Sequence, residues 1–317
     1  MLRPPGRNGL AAKLRIAILG TGSMGRVHAA AYKLMPDVEV AGTSNARASS
    51  DVEALIADPA TDAIDVCLPT ERHTDVVVRA LEHGKHVFCE TPLAFTLHDA
   101  TRMRDAARRT GRLLQVGLLM RSVSAYRHLA SLAQSGEHGR LLDLSTWRLG
   151  AYLRPDAPNR KAHHGPPATE LMTFDFDVVR WIMGAPAMLS ATGGDRVTAR
   201  LEFDDGRRAT VVASGLMPVD APFTVGFRAV FERATIELQT VFDCLPPRNT
   251  FTIAIGTAAP QPLDLAQHDP YGVELRHFVD CIRGIVDPAW LDADRALEAL
   301  DLSLATERAL HERPASS

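Results

Sequence analysis

The chain has 317 residues, a formal net charge of -3 and charges of both signs scattered along its length. That length buries about three quarters of the unfolded surface, enough for two medium domains, and the charge balance leaves neither a basic nucleic-acid face nor a polyacidic tail. Cys67, Cys89, Cys244 and Cys281 stand far apart, without metal-ligand spacing or the density of a disulfide scaffold, and no stretch approaches the roughly 18 uncharged apolar residues of a membrane span.

The expectation is therefore a soluble cytoplasmic protein with reduced, packed cysteines and a small polar molecule as partner, binding neither nucleic acid nor membrane. Residues 1–13 read as a loose N-terminal extension, because they lack the apolar core of a secretory signal. Leu14 to Leu19 then gives the apolar, partly β-branched pattern of a strand buried on both faces. Gly20, Gly22 and Gly25 follow in G-x-G-x-x-G spacing, and Arg26 to Leu34 continues as a helix. In the dinucleotide-binding reading, Gly20 makes the tight turn, Gly22 admits a pyrophosphate to the backbone, and Gly25 lets helix and strand pack. The helix N-terminus offers a partial positive charge to the phosphates, and Ser23 and Met24, in the glycine turn, are candidates for cofactor contact. The alternative is an ordinary glycine-rich loop; strand before, helix after and repeated βα alternation downstream favour the nucleotide.

Val38 to Gly42 is a short second strand. Beyond it an NAD site usually places an acid on the adenosine ribose, yet the chain reads Thr43, Ser44, Asn45, Ala46, Arg47. Hydroxyl, amide and guanidinium groups suit a 2′-phosphate instead, which points to NADP over NAD unless Arg47 is only a solvated loop charge. Ser50-Asp51 is read as the cap of a helix over Val52 to Ala57. Ala63 to Leu68 forms the next buried strand and delivers Pro69 and Thr70 to the carboxyl edge where ligands gather. A helix over Thr74 to Glu82, a strand over Lys85 to Cys89 delivering Glu90, Thr91 and Pro92, a helix over Thr96 to Thr110 and a strand over Leu113 to Gly117 complete the alternation. The fold class is α/β: a Rossmann domain over 14–121 with a doubly wound parallel sheet.

After a helix over Tyr126 to Ser135 the period changes to two. Leu142 to Tyr152, Leu189 to Thr192, Val197 to Gly215, Ala229 to Thr240 and Thr250 to Gly256 read as one large, mostly antiparallel open sheet, with a hairpin turn at Asp204-Asp205-Gly206. Its free face suits either a homodimer or homotetramer contact or plain solvent. A helix over Glu170 to Met183 interrupts the strands, helices over Tyr271 to Arg283 and Asp294 to Arg308 close the chain, and Arg154 to Pro167 is a long loop of the kind that carries function. This second, α+β domain is placed at 122–317, its last helices free to pack back on the first.

LRIAILGTGSMGRVHAAAY, ERHTDVVVRALEHGKHVFCETPLA, QVGLLMRSVSAY, FDFDVVRWIMGAP and YGVELRHFVDCIRG closely resemble the glucose–fructose oxidoreductase / inositol dehydrogenase / MocA family over roughly Leu14 to Leu310. The resemblance implies an NAD(P)-dependent oxidoreductase that moves a hydride between nicotinamide and a sugar, cyclitol or related alcohol, with a side chain handling the hydroxyl proton. The departures matter equally. The family's Glu-Lys-Pro stands here as Glu90-Thr91-Pro92, so its lysine is lost, and the family's Asp and His four residues apart fall on Glu170 and Phe174. The family's additional helix and strand after the second strand shrink to 46–50, thinning the adenine side. The groups that remain to carry the proton are Glu170, followed by His164 in HHGPP, with Asp177 matching a further family acid. Arg121, Thr91, Lys161 and Tyr152 are the candidates for substrate, His163 is a neighbour, and His73 resembles a family His that serves either the cofactor or the structure. The loss of both Lys and His leaves a second class open: a nucleotide-binding regulator with little or no chemistry.

Overall fold

The computed structural model describes residues 12–45, 49–151, 153–156, 165–166, 168–244 and 246–312. The chain divides into two compact units, Met1–Leu119 with Asp269–Leu297, and Met120–His268 with Glu298–Ser317. The boundary falls two residues before the expected one. The segment assigned to the second domain at 269–297 belongs with the first, because its apolar face completes the first core.

Unit 1 is a five-stranded parallel sheet in the order β2-β1-β3-β4-β5. Its strands are β1 (Leu14–Leu19), β2 (Val38–Ser44), β3 (Ala63–Val66), β4 (His86–Cys89) and β5 (Leu114–Val116). The helices are α1 (Ser23–Lys33), α2 (Ser49–Ala57), α3 (His73–Glu82), α4 (Leu97–Thr110) and, from the distant segment, α7 (Pro270–Ile282). β1 and β3 are apolar apart from Arg15 and Asp65, and from Ile16 onward in β1 and throughout β3 they are buried, as strands covered by helices on both faces must be. Ile16 and Ile18 of β1 pack with Tyr32 of α1 and with Leu275, Phe278 and Val279 of α7. β2 runs two residues further than expected, so Thr43 and Ser44 are strand. Ser50 and Asp51 lie inside α2 and do not cap it, since the helix starts at Ser49.

α4 is bounded as its sequence dictates. Thr96 Oγ1 accepts from the Asp99 backbone N–H at 3.1 Å and donates to the Asp99 carboxylate at 2.8 Å, while Gly111 stops the helix at φ 62°. The Thr96 hydroxyl, with Arg102 nearby, keeps the Asp99 carboxyl below its ordinary range, burial opposing them. Replacing Thr96 by alanine is expected to cost about 1 kcal/mol, lowering Tm by about 2–4 °C in thermal denaturation, with serine restoring most of it.

Unit 2 is built on an eight-stranded sheet in the order β13-β12-β11-β10-β6-β9-β8-β7. These strands are β6 (Leu141–Leu149), β7 (Met188–Gly193), β8 (Arg196–Glu202), β9 (Arg208–Ser214), β10 (Phe223–Phe231), β11 (Ala234–Phe242), β12 (Arg248–Ile255) and β13 (Gln261–Pro262). The β6–β9 pair is parallel and the other pairings are antiparallel. The single strand expected over Ala229 to Thr240 is two, broken at Glu232-Arg233, and β10 starts at Phe223 where no strand is expected. Neither turn residue is glycine, proline or asparagine, so the reversal carries no local signature.

α6 (Thr173–Met183) lies against β6 and β9, and α5 (Ser124–Ser135) sets Tyr126 edge-on to Phe227 at 5.0 Å. The expected helix from Glu170 opens instead with a π-type turn, Ala168–Met172, before α6 proper. The last helix, α8 (Ala293–His311), is longer at both ends than expected. Cys89 is buried and Cys244 exposed, so the expectation of packed cysteines fails at Cys244. Among the described residues no helix is long and apolar enough to cross a membrane.

Candidate functional site

In unit 1 the site grows from the end of β1, which lies between β2 and β3 at the point where strand order reverses. The Gly20 N–H donates to Ser44 O of β2 at 2.7 Å, and Cys67 N–H donates to Leu19 O at 2.8 Å, pinning the turn to both neighbours. Gly20 has φ 113°, and a Cβ there would stand 2.3 Å from Cys67 O. A Cβ on Gly25 would stand 1.8 Å from Gly20 O, so this glycine is demanded by helix–strand contact. Gly22 is different: nothing lies within 4 Å of a Cβ there, and Gly22 and Ser23 are exposed. Two glycines therefore serve the protein's own packing, and the third keeps the approach to the backbone clear. Gly22 caps α1 with no side-chain bond, no acid sits in the first turn, and Arg26 Nη1 donates to Thr21 O at 3.0 Å. Bare N–H groups, a helix N-terminus and a cation meet at one open turn, and this fits a pyrophosphate.

Around that turn, Ser44 is buried with its hydroxyl donating to Asn45 O at 3.1 Å, and Asn45 is exposed. Ala46 and Arg47 lie outside the described residues. Leu68 is buried, with Pro69 and Thr70 half-buried at the β3 end. His73 is enclosed, its Nε2 2.8 Å from Leu68 O and its Nδ1 3.2 Å from Leu93 O. Burial lowers its pKa, with the carbonyls opposing, so the ring ties the β3 and β4 exits together as a neutral group. At the β4 exit, Thr91 N–H donates to Glu90 Oε2 at 3.1 Å and Thr91 Oγ1 to Gly117 O at 2.8 Å, and the Thr91–Pro92 peptide is cis. The Thr91 hydroxyl, expected from the resemblance to stand at the family's lysine position, is thus spent on main chain.

Unit 2 carries the remaining candidates. Glu170 is buried in the π-type turn, a local irregularity common at functional sites, and its Oε1 accepts from Gly165 N–H at 2.9 Å. Tyr152, Lys161, His163 and His164 lie outside the described residues. Asp177, expected to be catalytic, and Arg121, expected to bind substrate, are a buried pair rather than separate groups on an open surface. They face each other, Arg121 Nε 2.9 Å from Asp177 Oδ2 and Nη2 2.7 Å from Oδ1, with both side chains buried. The physical reason is that a guanidinium at this depth requires a counter-charge.

Two residues absent from the sequence reading complete the region. The Arg148 guanidinium lies 4.7 Å from the centre of the Phe174 ring and is held by Asp175, Nε to Oδ2 at 3.2 Å. Phe174, expected from the resemblance to stand at the family histidine's position, thus presents an aromatic face under a buried cation, and a phenyl ring moves no proton. Arg148 sits in an alternating strand and Asp175 in an amphipathic helix, and neither has a local signal of pairing.

The geometry defines a class: a doubly wound nucleotide-binding unit joined to a unit with a large mixed sheet. Residues 14–118 match the family described as an oxidoreductase family with an NAD-binding Rossmann fold. A curated relative, scyllo-inositol 2-dehydrogenase (NAD(+)) of Bacillus subtilis, is 25% identical over 276 residues, covering 81% of this chain and 78% of that protein. Among solved structures, a Desulfitobacterium hafniense protein assigned as an NADPH-dependent oxidoreductase superposes with a TM-score of 0.84 at 19% identity, covering 95% of this chain and 96% of that one. The aldose-aldose oxidoreductase of Caulobacter crescentus gives 0.79 at 21% identity, covering 95% and 98%. The family match thus falls on the nucleotide-binding unit, and the similarity to an inositol dehydrogenase extends it over most of the chain.

Proposed function

We propose that the protein is an NAD(P)-dependent dehydrogenase or reductase acting on a CH–OH group of a sugar, cyclitol or related polar substrate. The observation that carries this is the glycine turn: Gly20 and Gly25 are required by packing, while Gly22 leaves open space over the bare N-terminus of α1. The bound nucleotide supplies hydride chemistry. The backbone N–H groups from Gly22 to Gly25 hold its pyrophosphate, Arg26 adds charge, and the turns at Leu68–Thr70 and Glu90–Pro92 line the same sheet edge. Glu170 is the group we assign to the substrate hydroxyl proton. The sequence after β2, with no acid from Thr43 to Arg47, favours NADP.

The experiment is a thermal shift with NAD+, NADH, NADP+ and NADPH, followed by absorbance assays over sugars, cyclitols and keto acids. A ligand held at about 100 times its Kd adds about 2.7 kcal/mol, so a clear rise in Tm is expected and its absence overturns the reading. Arg47→Ala should weaken NADP far more than NAD; equal weakening removes the NADP assignment.

A second reading, a nucleotide-binding regulator, is favoured by one specific observation, the Arg148–Phe174 stack at the proton-relay position. Nucleotide binding without turnover on any of these substrates decides for it. The exposed Phe242 and Ile255 on β11 and β12 support a homodimer or homotetramer through this sheet, and the free thiols a cytoplasmic setting.

A further inference from the structure

Unit 1 buries a cluster of ionisable side chains directly behind the Glu90 turn. His28 of α1 has no exposed surface; its Nδ1 lies 2.9 Å from Asp65 Oδ2 and its Nε2 2.9 Å from Glu90 Oε1. Glu274 of α7, 1% exposed, brings a third carboxyl to within 4.8 Å of His28 and Glu90, and neither of its oxygens has a hydrogen-bond partner. The Glu90 carboxyl is fitted from its other sides too. Thr91 N–H donates to Oε2, and Gly117 stands where a Cβ would come 3.1 Å from that oxygen. The side chain that begins the turn is therefore bordered by α1, by β5's exit and by α7.

We propose that Glu274 is a positioning residue whose carboxyl fills the buried space beside His28 Nε2 and Glu90, holding the Glu90–Thr91–Pro92 turn in the shape that receives the dinucleotide. This role rests on the nucleotide reading above. Asp65 occupies Nδ1, so the imidazole can offer only its other edge to Glu90 and Glu274. Two ionised carboxylates on that edge would repel one another where no water screens them. Among the described residues, the groups that act on Glu274 bear on the outcome: His28 and Tyr32 from α1, Asp65 from β3, Glu90 from the β4 exit, and Asp269 and Tyr271 at the start of α7. Burial first, then Glu90, Asp65 and Asp269, raise the Glu274 pKa well above the ordinary carboxyl range against the opposing His28 charge. Burial also opposes a charge on His28, yet Asp65 and the other acceptors outweigh it and raise its pKa. A neutral Glu274 beside an imidazolium leaves Glu90 in place, whereas an ionised one pushes Glu90 outward and moves Thr91 with it.

The sign follows. A carboxyl whose folded pKa is raised stabilises most at pH below its unfolded value and loses that contribution as pH climbs to the folded value. Glutamine keeps a hydrogen-bond donor and the volume but has no proton to lose; leucine keeps only the volume. The test is the Kd of the full-length protein for NADH and NADPH from pH 6 to pH 10, in wild type, Glu274→Gln and Glu274→Leu, with circular dichroism to confirm folding.

Wild-type affinity is expected to fall at alkaline pH, Glu274→Gln to stay flat near the neutral wild-type value, and Glu274→Leu to bind about tenfold more weakly throughout. Parallel pH profiles for wild type and Glu274→Gln overturn the role, and decide the matter alone should Glu274→Leu not fold. Wild-type affinity in Glu274→Leu also overturns it. Stoichiometric zinc or manganese in the purified protein, removed by chelator along with nucleotide affinity, overturns it by putting a cation where the proton is placed. A wild type that binds neither nucleotide at any pH defeats the nucleotide reading itself, and this role with it.

Discussion

Asp177→Ala is expected to destabilise the protein by about 3–5 kcal/mol, because it removes the carboxylate that pairs bidentately with the buried Arg121 guanidinium of unit 2. The pair is bidentate, with side-chain exposures of 4% and 1%, and Trp181 lies 5.4 Å from the guanidinium carbon. A loss of this size corresponds to a Tm lowered by about 6–20 °C. The double change Arg121→Met with Asp177→Leu removes both charges and refills the volume, and should recover most of the loss, since a buried pair gives back in Coulomb energy little more than its desolvation cost. A Tm for Asp177→Ala within about 2 °C of wild type would show that the pair contributes nothing to the fold. That outcome would reopen Asp177 as a chemical group.

This pair marks where the sequence stops being readable. Gly20, Gly22 and Gly25 declare themselves because their demands are local: a positive φ, a contact five residues back, an open approach. The Thr96 cap and the Gly111 stop declare themselves for the same reason, and so does the Asp204-Asp205-Gly206 hairpin. The Arg121–Asp177 pair joins residues 56 apart, and Arg148 meets Asp175 across 27. Nothing in either local sequence announces a partner. The β10–β11 reversal is hidden because Glu232 and Arg233 look like solvated strand residues. His28 and Asp65 leave a trace, each an ionisable group inside a mostly apolar run, and Glu274 between Val273 and Leu275 leaves a weaker one, but a trace of burial does not say what the group is buried against. α7 is the clearest case. Its pattern gives a helix, while its place against α1 follows only from Leu275, Phe278 and Val279 closing a core begun by Ile16 and Ile18.

The largest effect on chemistry is expected at Glu170. Thr91 has no charge to give and spends its hydroxyl on Gly117 O, and Phe174 lies under Arg148, so neither residue expected at the family's lysine and histidine positions is suited to move a proton. Asp177 is engaged by Arg121. Among the described residues that leaves Glu170 as the carboxyl in the expected helix-start position, buried in the π-type turn with Gly165 N–H on Oε1. Glutamine at 170 can still accept that hydrogen bond through its amide oxygen, so the turn should keep its shape while the ability to move a proton disappears. With whichever hydroxylated substrate gives turnover, Glu170→Gln is expected to lower kcat by about 100-fold or more, with KM and Tm little changed. Alanine separates the two roles further, since it removes both the proton and the bond to Gly165 and should lower Tm as well as kcat. A Glu170→Gln enzyme with undiminished kcat would confine Glu170 to holding residues 165–170. The proton would then have to pass through the segment 157–164, where His163 and His164 stand.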